Sequence, residues 1–103
     1  MQDGTIVSAV AWSNGKQNPG AYGLRISAKD REIFRGTERV FLQLPNGKTA
    51  EVWPSQSFWN KCHEFRSSLI GEYLISTGQY SWPNRHPPSF NLIAIGNNTF
   101  KVI

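Results

Sequence analysis

The sequence is poor in cysteine, in acids and in long apolar runs, and each shortage excludes something. A single cysteine, Cys62, cannot close an internal disulfide, so a reducing, cytoplasmic setting is expected. Its place among helically spaced apolar residues makes Cys62 a small core hydrophobe rather than a reactive thiol. No apolar run approaches the roughly 18 residues of a membrane span, and no membrane partner is expected. The opening "MQDGTIVSAVAWSNG" carries an acid where a secretion signal carries positive charge. Secretion is therefore not expected.

Recognisable catalytic and metal-binding patterns are also missing. His63, His86 and Cys62 lack the tight spacings of a metal site, so neither a metal nor a cofactor is expected. "GAYG" has neither the spacing nor the following helix of a phosphate cradle. Glu64 and Glu72 read as solvated positions on one helix, not as a catalytic pair. The chain is not expected to be an enzyme.

What is present suits one domain of 103 residues with a single core. Hydrophobic residues at 39% and aromatic ones at 13% exclude a disordered chain. The formal net charge of +4 permits a polyanionic partner without demanding one. Arg, the residue suited to forked contacts with phosphate and guanine, supplies more than half of the bases.

Strands are expected over 5–12 and 21–27, the second placing Tyr22, Leu24 and Ile26 on one face. Ser27 with Asp30 approximates a capping box for a short helix over 28–34, stopped by Gly36. "ERVFLQL" (38–44) and "TAEVW" (49–53) flank "PNGK", whose Asn-Gly signals a hairpin. Residues 55–78 begin ambiguously, with "SFWNK" a possible short strand, and are expected to be helical from Glu64. Leu69, Ile70, Tyr73 and Leu74 would form that helix's apolar stripe, and Gly78 its stop. "QYSWPNRHPPS" (79–89) is a proline-rich loop, and 90–96 with 99–103 a closing hairpin around "NN". The fold class is mainly β with two short helices, an open barrel of six or seven mostly antiparallel strands in the order β-β-α-β-β-(β)-α-β-β.

Polar, aromatic and basic residues collect in the connections. Ser13, Asn14, Lys16, Gln17 and Asn18 occupy the first. Trp53, Ser55, Gln56, Ser57, Trp59, Asn60 and Lys61 occupy the one after the hairpin. Trp82, Asn84, Arg85 and His86 form a third cluster. Asn and Gln suit adenine edges and Arg suits guanine, while Lys and Ser typically hold phosphates.

The stretch "GLRISAKDREIFRGTERVFLQLPNGKTAEV" (23–52) resembles the opening of a B3-type DNA-binding domain. "SFWNKCHEFRSSLIGEYLISTG" is similar to that family's short fifth strand and second helix, and "FNLIAIGNNTFKVI" to its closing hairpin. The family includes plant transcription-factor domains and the effector or target-recognition domains of restriction endonucleases. This chain sits nearer the second, bacterial type. The resemblance implies a seven-stranded DNA-binding pseudobarrel that grips double-stranded DNA with two arms. The first arm would be "SNGKQN", with Lys16 on phosphate, Asn14, Gln17 or Asn18 near base edges, and Arg25 in support. The second would be "WPSQSFWNK", with Gln56 reading bases and Ser55, Ser57 and Lys61 on the backbone. A separate nuclease or methyltransferase subunit is a further implied partner; oligomeric state is left open.

Three other readings follow from the same residues. Trp12, Trp53, Trp59 and Trp82 would serve a single-stranded nucleic-acid binder if three or more were exposed on one face. Cys62, His63 and His86 would serve a small hydrolase if a cleft joined two of them. The "SWPNRHPP" loop would serve a protein-interaction adaptor if Trp82 stood exposed amid an apolar patch.

Overall fold

Period-two alternation of apolar side chains, more than helix propensity, sets the architecture. In the computed structural model, which describes residues 3–16, 18–54, 56–60, 63–79, 81–82 and 86–103, seven strands carry that pattern. They are β1 (Ile6–Ser13), β2 (Tyr22–Ile26), β3 (Val40–Gln43), β4 (Thr49–Val52), β5 (Glu64–Arg66), β6 (Ser89–Gly96) and β7 (Thr99–Val102). Helix α1 (Gln56–Asn60) lies between β4 and β5, and helix α2 (Ser68–Ser76) between β5 and β6. The strands form one sheet in the order β4-β3-β7-β6-β1-β2-β5. Every pair is antiparallel except β3–β7, which is parallel. The sheet curls into a nearly closed, barrel-like form, the small mainly β architecture with two short helices that the sequence implies.

The core lies inside that curl. Val7, Ala9 and Ala11 of β1 face inward beside Leu24 and Ile26 of β2, Leu42 of β3, Leu92 of β6 and Phe100 of β7. Phe34 meets Phe65 at 5.1 Å and Phe100 at 5.3 Å between ring centroids, and Phe58 stacks on Phe65 at 4.9 Å. Burying each such ring contributes about 1.5–3 kcal/mol, and each aromatic pairing about 0.5–1.5 kcal/mol more. Helix α2 adds Ile70, Tyr73 and Leu74. Its end follows expectation: Gly78, at φ +76°, takes the left-handed conformation just past the last turn. Among the described residues no helix is long and apolar enough to cross a membrane.

Three local expectations are corrected. The helix expected over 28–34 is a 3₁₀ turn over Arg31–Phe34. The Ser27 hydroxyl bonds the Asp30 carboxylate at 3.0 Å instead of capping a helix. Only Phe34 of that segment is fully buried, and so short a helix does not persist without a packed face. The helix expected from Glu64 begins at Ser68, because Glu64–Arg66 alternates about Phe65 and pairs with β2 as the fifth strand. Ser67 caps α2, its hydroxyl oxygen accepting from the Leu69 amide at 3.2 Å. The possible strand at "SFWNK" is instead helical through Asn60, as part of α1, where Phe58 is fully buried; Lys61 lies outside the described residues.

The two hairpins are as expected, and their turn chemistry is plain. Leu44 accepts from the Gly47 amide and donates to the Lys48 carbonyl, with Gly47 at φ +88°. That is a β-turn with Pro at its second position, followed by a glycine bulge. Asn97 and Asn98 both have positive φ, 50° and 55°, the two-residue hairpin geometry that asparagine tolerates.

Candidate nucleic-acid interface

Inward-facing residues on β1, β2 and β5 leave a complementary outward set. Trp12, Gly23 and Arg66 are neighbours across the three strands, and Val10, Arg25 and Glu64 form the next such row. Their connections leave this surface at opposite ends. The β1–β2 connection closes where Ser13 pairs with Tyr22, and the chain from α1 arrives where Glu64 pairs with Arg25.

The outward set is held by charge. Arg66 donates from Nη2 to Glu64 Oε1 at 2.9 Å, and its guanidinium carbon lies 4.3 Å from the Trp12 ring centroid. Arg25 Nη2 stands 3.6 Å from Glu64 Oε2. The Glu64 side chain is 1% exposed, against 47% for Arg25 and 54% for Arg66. The carboxylate is thus shielded by the two cations it orients. Its Oε2 is buried without a hydrogen bond, so the ion pair with Arg25 is its compensation. Beyond Arg25, Ser8, Val10, Ala28 and His63 surround a depression of about 300 Å³. The His63 ring is fixed there by a 2.7 Å hydrogen bond between Nδ1 and the Phe58 carbonyl oxygen. A carbonyl only accepts, so Nδ1 carries the proton.

The first expected arm is a shaped loop rather than a slack one. Ser13 Oγ accepts from the Gly15 amide and Asn14 Oδ1 from the Lys16 amide, both at 3.0 Å. These side-chain oxygens therefore turn the chain before they meet any ligand. Asn14 also donates from its amide to the Ala21 carbonyl at 3.0 Å, and a 3₁₀ turn over Pro19–Ala21 leads into β2. That turn is seated on α2 at Gly71: a Cβ there would fall 2.0 Å from the Pro19 carbonyl oxygen. Lys16 and Asn18 are exposed, and no ion pair engages Lys16 among the described residues. Gln17 lies outside them.

The second expected arm is largely α1, anchored by Phe58. Trp53 is 61% exposed, and Gln56 and Asn60 also face outward. Trp59 is half-buried, with the Arg35 guanidinium 4.1 Å from its ring centroid, and its carbonyl accepts from Arg31 at 2.9 Å. Ser55, Lys61 and the Ser57 side chain lie outside the described residues, as do Cys62, Asn84 and Arg85. Arg25, expected in support of the first arm, stands at the far end of β2 beside the second.

The tryptophans are not gathered on one open face. Trp12 lies under Arg66, while Trp59 and Trp82 pack against the core. Two residues of the outward network escape the sequence reading. Arg66 is absent from the expected arms, and Glu64, expected on the same helix as Glu72, is on β5. Their signal is the alternation in "HEFRS", where one apolar residue between two charges puts both charges on one face of a strand. No known protein family, curated protein or solved structure matches the chain.

Proposed function

We propose that this chain is a double-stranded DNA-binding module of B3-like type with no catalysis of its own. It would grip the major groove between its β1–β2 connection and the α1 region. The observation that carries the reading is the pair of half-exposed guanidiniums, Arg25 and Arg66, on the sheet surface between those connections. Arg is the side chain whose fork matches phosphate and guanine, and exposed Lys16 adds a mobile cation at one end. A module of this kind occupies or marks a site, or delivers a separate nuclease or methyltransferase subunit to it.

The test is a fluorescence-anisotropy titration against random duplex and single-stranded oligonucleotides at low and moderate salt. Duplex binding that weakens with salt is expected, because neutralised phosphates release counterions. The Arg25→Ala/Arg66→Ala double variant should bind more weakly and with a shallower salt dependence. Absence of duplex binding by the wild type at low salt would overturn the proposal. A preference for single strands would overturn the groove-gripping geometry.

A further inference from the structure

Glu64 is the one charged residue buried among the described residues, and it pairs with both arginines of the surface proposed to meet a polyanion. Left alone, a carboxylate there opposes DNA. Its two oxygens, however, are used unequally. Oε1 holds Arg66 at 2.9 Å in a hydrogen bond, whereas Oε2 faces Arg25 at 3.6 Å without one. Arg66 also lies over the Trp12 ring, its guanidinium carbon 4.3 Å from the ring centroid. One guanidinium is therefore fixed in direction by two independent contacts, and the other is held only by charge.

Resting on the DNA-binding reading above, we infer that Glu64 is a specificity-determining residue that divides the work of the two arginines. Arg66, buttressed by Glu64 and Trp12, reads the O6/N7 edge of a guanine. Arg25, half-exposed beside Glu64, turns its remaining donors to a phosphate. Base reading needs a fork whose direction is set in advance, because two acceptors must be met at once. Phosphate binding tolerates a mobile cation. The anion lowers the attraction for DNA of any sequence and preserves it where a guanine meets the fork. Such a repulsive element gives selectivity at the expense of affinity.

The experiment begins with duplexes enriched by the wild-type protein from a random pool. Affinities for an enriched duplex and for random duplex are then measured over a salt series. Wild type, Glu64→Gln, Arg66→Lys and Arg25→Ala are compared, with a melting curve for each. Glu64→Gln should tighten binding to random duplex and narrow the ratio between enriched and random sites. Arg66→Lys should relax the preference for guanine at one position by about tenfold to a hundredfold, the scale of a forked base contact. Arg25→Ala should weaken both duplexes alike and reduce the salt slope by about 0.9, the value of one phosphate.

A Glu64→Gln change that shifts both duplexes by the same factor would overturn the inference. So would an Arg66→Lys variant that keeps every base preference, and that variant decides the matter even if Glu64→Gln fails to fold. Wild-type protein that binds no duplex overturns the DNA-binding reading itself. Binding with unaltered discrimination overturns only the role of Glu64.

Discussion

Arg66 reaches the indole of Trp12 across a glycine. Trp12, Gly23 and Arg66 are register neighbours on β1, β2 and β5, and the guanidinium lies 4.3 Å from the ring centroid. Gly23 is buried, and a Cβ there would fall 2.3 Å from the Phe65 carbonyl oxygen and 3.1 Å from the Arg66 Cα. Both obstacles are backbone atoms of the partner strand. The missing side chain thus lets β5 approach β2 and brings the cation over the ring.

Gly23→Ala should consequently destabilise the protein, although alanine is ordinarily the better strand residue. Relief of the overlap requires β5 to move, at a cost of about 1–3 kcal/mol for overpacking of this kind. The expected observation is a lower urea midpoint at unchanged m-value. An unchanged midpoint would mean that β5 shifts freely, and the Arg66–Trp12 contact would lose its structural basis.

Gly71→Ala offers a parallel test for the first connection. In an exposed helix this change gains up to about 1 kcal/mol from propensity. Here the added methyl would lie 2.0 Å from the Pro19 carbonyl oxygen and 2.6 Å from the Pro19 Cα. The expected result is net destabilisation, with faster amide hydrogen exchange at Asn14 and Ala21, which donate to the Ala21 and Asn18 carbonyls respectively and depend on the seated turn. Slower exchange at those two amides would show that the turn is not held by α2.

The order of strands was legible because alternation survives in a single sequence. Tyr22, Leu24 and Ile26, and likewise Val40, Leu42 and Leu44, are buried as their spacing implies. The hairpins were legible because turn residues act locally. The second connection was harder to read. Phe58, Cys62, Phe65 and Leu69 are spaced like a helix, yet Phe58 belongs to α1 and Phe65 to β5. Both rings reach the same core from different elements, and only the pairing of β5 with β2 separates them. Two features of the outward surface depend on long-range neighbours in the same way. Glu64 becomes an internal counter-ion only after β5 brings Arg25 alongside it. Trp12 becomes a stacking base only when Gly23 leaves room. Loop composition pointed to Ser13 and Asn14 as ligand contacts but did not show that their oxygens also shape the loop.

Acid should act on the pair that Glu32 makes with Arg35 at the end of the 31–34 turn. Glu32 accepts two hydrogen bonds from Arg35, at 2.7 Å and 3.0 Å. Chiefly through this hydrogen bonding, with the charges of Arg35 and Arg31 assisting, its carboxyl is held below its ordinary range, and Arg35 is correspondingly raised. A group depressed in the folded state contributes stability above its unfolded pKa and loses it as pH falls through the folded one. The pair should therefore be intact at neutral pH and come apart only below the ordinary glutamate value of about 4.3. An NMR titration of the Glu32 carboxyl checks this. Its midpoint should lie below that value, and the melting difference between wild type and Glu32→Gln should disappear over the same interval. A midpoint at or above the ordinary value would show that Arg35 does not engage Glu32 in solution.

Phe58→Ala probes whether the second connection is positioned from within the core. Phe58 is 0% exposed and stacks on Phe65 at 4.9 Å, with Phe34 at 6.0 Å. Its truncation should cost about 3–5 kcal/mol, the range for removing a buried aromatic ring. Helix α1 spans only Gln56–Asn60, too short to persist once its anchor is gone. Trp59 should then separate from Arg35, changing the tryptophan emission before global unfolding. Because Phe58 has no surface to offer a ligand, any loss of duplex affinity in folded Phe58→Ala protein must come from displacement of α1. The decisive comparison is with Gln56→Ala, which removes an exposed side chain and leaves the anchor in place. Weaker duplex binding in both variants would place α1 at the interface. Loss in Phe58→Ala alone would mean that α1 holds its neighbours in position without touching DNA. Unchanged affinity in both, with the core variant still folded, would remove the second arm from the proposal and leave the β1–β2–β5 surface to act alone.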